Sequence, residues 1–169
     1  ISVNLYSKII LSEYFWNSIP CENVLIFQTD TILLKNTIHK ITDYTSYDYI
    51  GAPWKWFNRV GNGGLSFRKK SAMLKVIHEI NKDIDLTLFT NYHPEDIHTV
   101  EYMKKLKLNI APVEIANTFS VESMYYPCPF GIHKPWSYLP SIMLDAFKKH
   151  EEINQLIKLN TEDNEKVLI

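Results

Sequence analysis

Four short segments hold the side chains best suited to chemistry. In Phe27-Gln28-Thr29-Asp30 a carboxylate follows the apolar run Val24-Leu25-Ile26-Phe27. Ligands of open α/β sheets gather beyond the carboxyl ends of strands. An aspartate there is a natural ligand for Mg²⁺ or Mn²⁺, hard cations that prefer oxygen and keep positions open for phosphate. The same residue could instead close an Asx-type turn. In Val60-Gly61-Asn62-Gly63-Gly64-Leu65-Ser66, three glycines in four positions precede a strand, so a ligand could lie against bare backbone amides. A tight hairpin turn through Asn-Gly reads equally from the same residues. The segment lacks the Gly-Lys-Ser/Thr ending of a P-loop and does not open a helix, which excludes a Walker site and a dinucleotide fingerprint.

Pro94-Glu95-Asp96 puts two acids at the start of a helix. Carboxylates stabilise a helix N-terminus, and one held rigidly there could also deprotonate a hydroxyl as general base. In Gly131-Ile132-His133-Lys134-Pro135-Trp136, His133 could complete a metal site and Lys134 could neutralise a diphosphate. Trp54, Trp56 and Trp136 offer flat faces for a sugar or base, or seal the core. His39, His78, His98 and His150 fall on helix-like or loop surfaces and are assigned no role.

These segments need a scaffold. Apolar residues over 3–17 predict a helix ending before Pro20. Asn23–Phe27, 32–34, 47–50 and 65–67 read as strands. Ser71 caps a helix to about Asn81, with Met73, Leu74, Ile77 and Ile80 inward. Residues 82–93 read as irregular, and Pro94 suits the first turn of the next helix. That helix carries Ile97, Val100, Met103 and Leu106 at i+3 spacing. Residues 109–116 and 118–121 look strand-like, and the proline-rich 127–140 reads as a shaped loop. A final amphipathic helix spans 141–159, with a frayed tail over 160–169. Interleaved strands and helices predict an α/β domain with a mixed sheet, one domain over residues 1–159.

With 169 residues and 46% apolar content the chain can bury one core. A net charge of -1 with 22% charged residues excludes a basic nucleic-acid arm, an acidic tail and a chain too polar to fold. No apolar run is long enough to span a bilayer and no signal peptide is visible, so a cytoplasmic location is expected. Cys21 and Cys128 read as buried or semi-buried thiols of a reducing compartment. Average usage predicts about 12 glycines; there are five, all in or beside the segments above, where positive φ or close backbone approach is needed.

In this order the segments resemble a glycosyltransferase of the GT-A superfamily. More closely, the chain is similar over residues 5–139 to an uncharacterised glycosyltransferase-like domain family found in bacteria, unicellular eukaryotes and large DNA viruses. There the blocks Phe-Gln-Thr-Asp, Tyr-Ile-Gly-Ala-Pro-Trp, Gly-Asn-Gly-Gly-Leu-Ser, Pro-Glu-Asp and Gly-Ile-His-Lys-Pro-Trp recur together. The resemblance implies a GT-A-like mixed sheet flanked by helices, lacking the N-terminal nucleotide-binding strand and loop. It implies metal-dependent transfer of a sugar from a nucleotide-sugar donor to a hydroxyl acceptor on a glycan, lipid or protein, with inversion. Asp30 and His133 would hold Mn²⁺ or Mg²⁺. Asp96, with Glu95 as second choice, would be the base. Gln28, Trp54, Gly61, Asn62, Gly63, Gly64, Lys134 and Trp136 would bind donor and substrate. Gln28 departs from the pattern, since it stands where an Asp-x-Asp motif has its first acid. That substitution keeps a rival open, a non-catalytic carbohydrate-binding or scaffold domain. A metal-dependent hydrolase of nucleotide-sugars or phosphodiesters is the other.

Overall fold

The computed structural model describes residues 2–83 and 94–166, a mixed α/β fold. Two helices open the chain, α1 (Val3–Ile10) and α2 (Glu13–Ser18), where the apolar pattern predicts one. Ser12 causes the break. Its hydroxyl donates to Ile9 O at 2.7 Å and accepts from Phe15 N at 3.2 Å, ending one helix and capping the next. The fold makes use of the corner: Trp16 is fully buried and its indole donates to Ile10 O at 2.7 Å.

Strand β1 (Asn23–Phe27) pairs antiparallel with β6 (Leu65–Lys69), and β6 with β3 (Tyr49–Gly51). This sheet packs on α2, α3 (Lys70–Asp83), α4 (Glu95–Lys105) and α5 (Val113–Phe119) around Ile50, Phe67, Met73, Ile77, Val100 and Met103. The predicted inner faces of α3 and α4 hold, with Leu74, Ile97 and Leu106 partly buried at their edges. A second sheet joins β2 (Thr31–Leu33), β8 (Gly131–His133) and β7 (Ser120–Val121), antiparallel then parallel. With α6 (Ser141–Phe147) and α7 (Glu151–Lys166) it encloses a smaller core of Leu34, Val121, Ile132, Leu139, Phe147 and Ile153. The hairpin β4 (Pro53–Trp54) and β5 (Arg59–Val60) leads into the glycine loop.

Several expectations need correction. Residues 113–119 are helical, because Pro112 supplies a helix N-cap and only Ile110 forms a strand-like bridge, to Tyr49. Ser71 lies inside α3, not at its cap, and bonds to Glu22. Pro94 is the N-cap of α4 rather than its first helical residue. The loop 127–140 contains β8 and a 3₁₀ turn at Pro135–Ser137. The last helix is two, and α7 runs to Lys166 through the expected frayed tail. His98 and His150 are buried, whereas Cys21 is exposed. Most of the stretch 82–93, residues 84–93, lies outside the described residues, as do 167–169.

Candidate functional site

The site forms where the two sheets meet. The β1–β6 register pairs Phe27 with Leu65, so Gln28 N donates to Gly64 O at 2.8 Å. The β2–β8 register pairs Thr31 with His133, and Lys134 N donates to Asp30 O at 3.0 Å. Strand pairing therefore brings Gln28, Asp30, Gly64 and His133 together from positions 105 residues apart in the chain.

His133 is the hub. Its Nδ1 donates to Glu122 Oε1 at 3.1 Å, and Glu122 also accepts from Asn62 Nδ2 at 2.7 Å. On the other side, Nε2 lies 3.2 Å from Gln28 Oε1 and 3.2 Å from Asp30 Oδ1. The Asp30 approach lacks hydrogen-bond geometry, leaving that buried oxygen without another partner. Burial opposes charge on the imidazole, but Asp30 and Glu122 outweigh it and raise its pKa to about 9. His133 in turn holds the Asp30 carboxyl below its ordinary value.

This arrangement fits a divalent metal. A carboxylate oxygen, an amide oxygen and an imidazole nitrogen converge, the nitrogen becoming a ligand only when metal displaces its Nε2 proton. Ligands at about 2.1 Å from one octahedral ion sit about 3 Å apart. Glu122, bonded to Nδ1, would orient His133 if Nε2 held a metal. Among the described residues no three His, Cys, Asp or Glu side chains form such a group, so the neutral Gln28 oxygen is needed to complete it.

Glycine matters here for space. None of the five has positive φ. A side chain at Gly64 would overlap the His133 ring, and one at Gly63 would meet Glu95, Arg68 and Asp96. The loop lies flat on the site because nothing projects from it.

The two acids at the start of α4 divide. Glu95 is 3% exposed and forms a bidentate pair with Arg68, at 2.7 and 2.8 Å. Burial acts to lower the Arg68 pKa, but Glu95 holds it above its ordinary value, and the guanidinium also lies over the Tyr49 ring. Glu95 is thus occupied as a structural anion. Asp96 accepts from Gly63 N at 3.1 Å and from Ile97 N at 2.9 Å. Burial, and then the Glu95 charge, push its pKa up to about 7. Both acids border a cleft of about 100 Å³ shared with Gln28, Gly63, Gly64 and His133, closed on one side by Tyr6 and Ser7 of α1.

The other expected residues are placed differently. Trp54 is 8% exposed, with Gly61 against its ring and Arg59 5.4 Å away, so it forms a wall and offers no stacking face. Asn62 is spent on Glu122 and Gly64 N. Lys134 adopts left-handed φ 43° and its charge helps hold Asp30 ionised. Trp136 is half-buried in the following 3₁₀ turn, and no bond or ring contact ties it to His133. The exposed aromatic surface is Trp56, 61% exposed and 5.4 Å edge-on to Tyr138. Burial, and then the charges of Glu122 and Asp96, raise the Tyr138 phenol's pKa.

Sequence reasoning missed Arg68, Glu122 and Tyr6. A charged residue in the strand Leu65–Lys69 was a signal for a buried pair, and Glu122, like Asp30, follows a strand. Tyr6 carried no signal; its hydroxyl is buried without a hydrogen-bond partner.

No curated protein matches the chain. One family matches residues 1–133, which run from α1 to β8 and include Gln28, Asp30, Glu95, Asp96 and His133. The chain belongs to that family, described as protein of unknown function (DUF5672).

Proposed function

We infer that this protein is a metal-dependent glycosyltransferase of GT-A type that moves a sugar from a nucleotide-sugar to an acceptor hydroxyl with inversion. The observation that carries the reading is the cluster in which Asp30, Gln28 and His133 bring ligand atoms together, next to a cleft that Gln28 and His133 share with a carboxyl, Asp96, of raised pKa. Asp30, His133 and Gln28 would hold Mn²⁺ or Mg²⁺, which when bound supplies Lewis-acid neutralisation of a departing diphosphate.

Every other step belongs to the chain's own groups. Asp96 takes the proton of the acceptor hydroxyl as the acceptor oxygen bonds to the anomeric carbon. The bond from that carbon to the phosphate oxygen breaks, and its electron pair leaves with the nucleoside diphosphate. Lys134 faces that charge. Glu122 fixes the His133 ring. Trp56 and Tyr138 would offer the acceptor sugar an exposed aromatic face.

The test is a donor screen with and without acceptors. Transfer that needs Mn²⁺ and is lost in Asp96→Asn supports the reading. A product of retained anomeric configuration, seen by NMR, removes Asp96 as base. Turnover without acceptor marks a hydrolase instead.

A second reading, a binding domain without catalysis, is favoured by the size of the cleft, about 100 Å³, against about 300 Å³ or more for sites that enclose a small molecule. Stabilisation by glycans, with no thermal stabilisation by nucleoside diphosphates in Mn²⁺, would select it.

A further inference from the structure

At the far end of α4 from Asp96 lies a second concavity. It measures about 460 Å³ and is lined by Arg59, Lys104 and Lys107 together with Val60, Ile110 and Val113. That volume is within the usual range for small-molecule sites. Lys104 lies eight positions beyond Asp96 on α4, roughly 12 Å along the axis.

Its charge is the unusual feature. Three cations line the groove, no carboxylate does, and among the described residues none of the three is in an ion pair, in a chain of net charge -1. The carboxylate bonded to this stretch, Asp48, is already committed to Lys69 and to the Asn109 amide. Glu114 follows Val113 but is not part of the lining. Lys104 and Lys107 have an ordinary explanation, since they flank a helix C-terminus whose partial negative charge favours cations. Leu108 N donates to Met103 O and Lys107 N to Lys104 O, with Lys107 left-handed at φ 54°. Arg59 is held differently. It comes from β5, is held over the Trp54 and Phe57 rings at 5.4 and 5.0 Å, and keeps a buried Nε with no acceptor. A buried guanidinium N–H without a partner is costly unless something supplies the acceptor.

We propose that this groove binds a phosphate-bearing ligand, its phosphate held by Arg59, Lys104 and Lys107 and its carbon skeleton against Val60, Ile110 and Val113. Three cations match a phosphomonoester or diphosphate better than a single carboxylate, and the planar guanidinium gives a bidentate grip. The site is independent of the sugar-transfer reading.

Calorimetric titration of the full chain with pyrophosphate and inorganic phosphate, in chelator and at fixed ionic strength, tests it. One saturable site is expected, weakened about tenfold or more in Lys104→Gln/Lys107→Asn, equivalent to about 1.4 kcal/mol. Asparagine suits the left-handed position, and both lysines are exposed, so this variant folds. A control pair, Lys55→Gln/Lys75→Gln, separates a site from general charge; equal weakening in both pairs overturns the proposal. So does binding that Lys134→Gln removes and the groove pair does not, which puts the phosphate in the Asp30 cleft. Sedimentation with phosphatidylglycerol but not phosphatidylcholine vesicles, dependent on the groove pair, identifies a lipid headgroup as the phosphate source. Binding to neither soluble phosphate nor vesicles ends the proposal.

Discussion

At the scale of single residues, Asp96 makes the most direct prediction. Its folded pKa of about 7 lies above the ordinary value of 3.8. The native state therefore holds a proton that the unfolded chain releases first. The stabilisation linked to that proton is complete below the unfolded value and is lost as pH rises through about 7. Asp96→Asn should remove that slope, while its amide can accept only one of the two N–H bonds from Gly63 and Ile97. Urea melts from pH 5 to pH 8 would show it; parallel curves for the two proteins would contradict a raised pKa. If Asp96 is the base, transfer rises with pH through the same midpoint and then levels. Lys134 makes a second prediction. Its left-handed backbone penalises branched side chains, so Lys134→Val should cost about 1–2 kcal/mol while Lys134→Gly costs nothing or gains slightly. Equal losses in thermal melts would mean that the side chain, not the backbone, matters there. Asp30, His133 and Asp96 were legible because each stands at a strand end or helix start beside other polar residues. Glu122 and Arg68 were not, since their partners lie 11 and 27 positions away and only pairing brings them close.

Among elements, the Arg68–Glu95 pair ties β6 to the first turn of α4, and so sets where Asp96 points. With side-chain exposures of 0% and 4%, neither charge can return to water when the other is removed. Arg68→Met or Glu95→Gln alone should cost about 3–5 kcal/mol, and the double variant markedly less than their sum. Additive losses in a double-mutant cycle would show that the two residues act separately. The inner faces of α3 and α4 could be read directly because their apolar periods run over 14 and 11 residues, and β1, β3 and β6 because their short apolar runs are bounded by polar or glycine residues. The errors fall where one residue redirects the chain. Ser12 divides the first helix by bonding in both directions. Pro112 lies in a run of strand-forming residues yet opens α5 as its N-cap. A short apolar run does not distinguish strand from helix, and tertiary packing decides.

On the scale of the whole molecule, the proposed ligand set draws on both sheets, Gln28 from the end of β1, and Asp30 and His133 from the β2–β8 pair. Metal binding should then stabilise the fold as a unit. At a hundredfold excess over Kd the gain is about 2.7 kcal/mol, and hydrogen exchange should slow on β6 as well as β8. Slowing confined to β2 and β8 would remove Gln28 from the set. Gly64→Ala should abolish both effects, because its methyl group takes the space of the His133 ring. No helix among the described residues is long and apolar enough to cross a membrane. The edge-on pair of Trp56 and Tyr138 has an optical consequence. With Trp16 and Trp54 buried, Trp136 half-buried and Trp56 61% exposed, the intrinsic fluorescence should combine a blue-shifted interior component with a red-shifted surface one. Iodide should quench the second and spare the first. A sugar resting on Trp56 would shield it from iodide, while unfolding would be reported by Trp16, so one cuvette can follow occupancy and stability as separate signals.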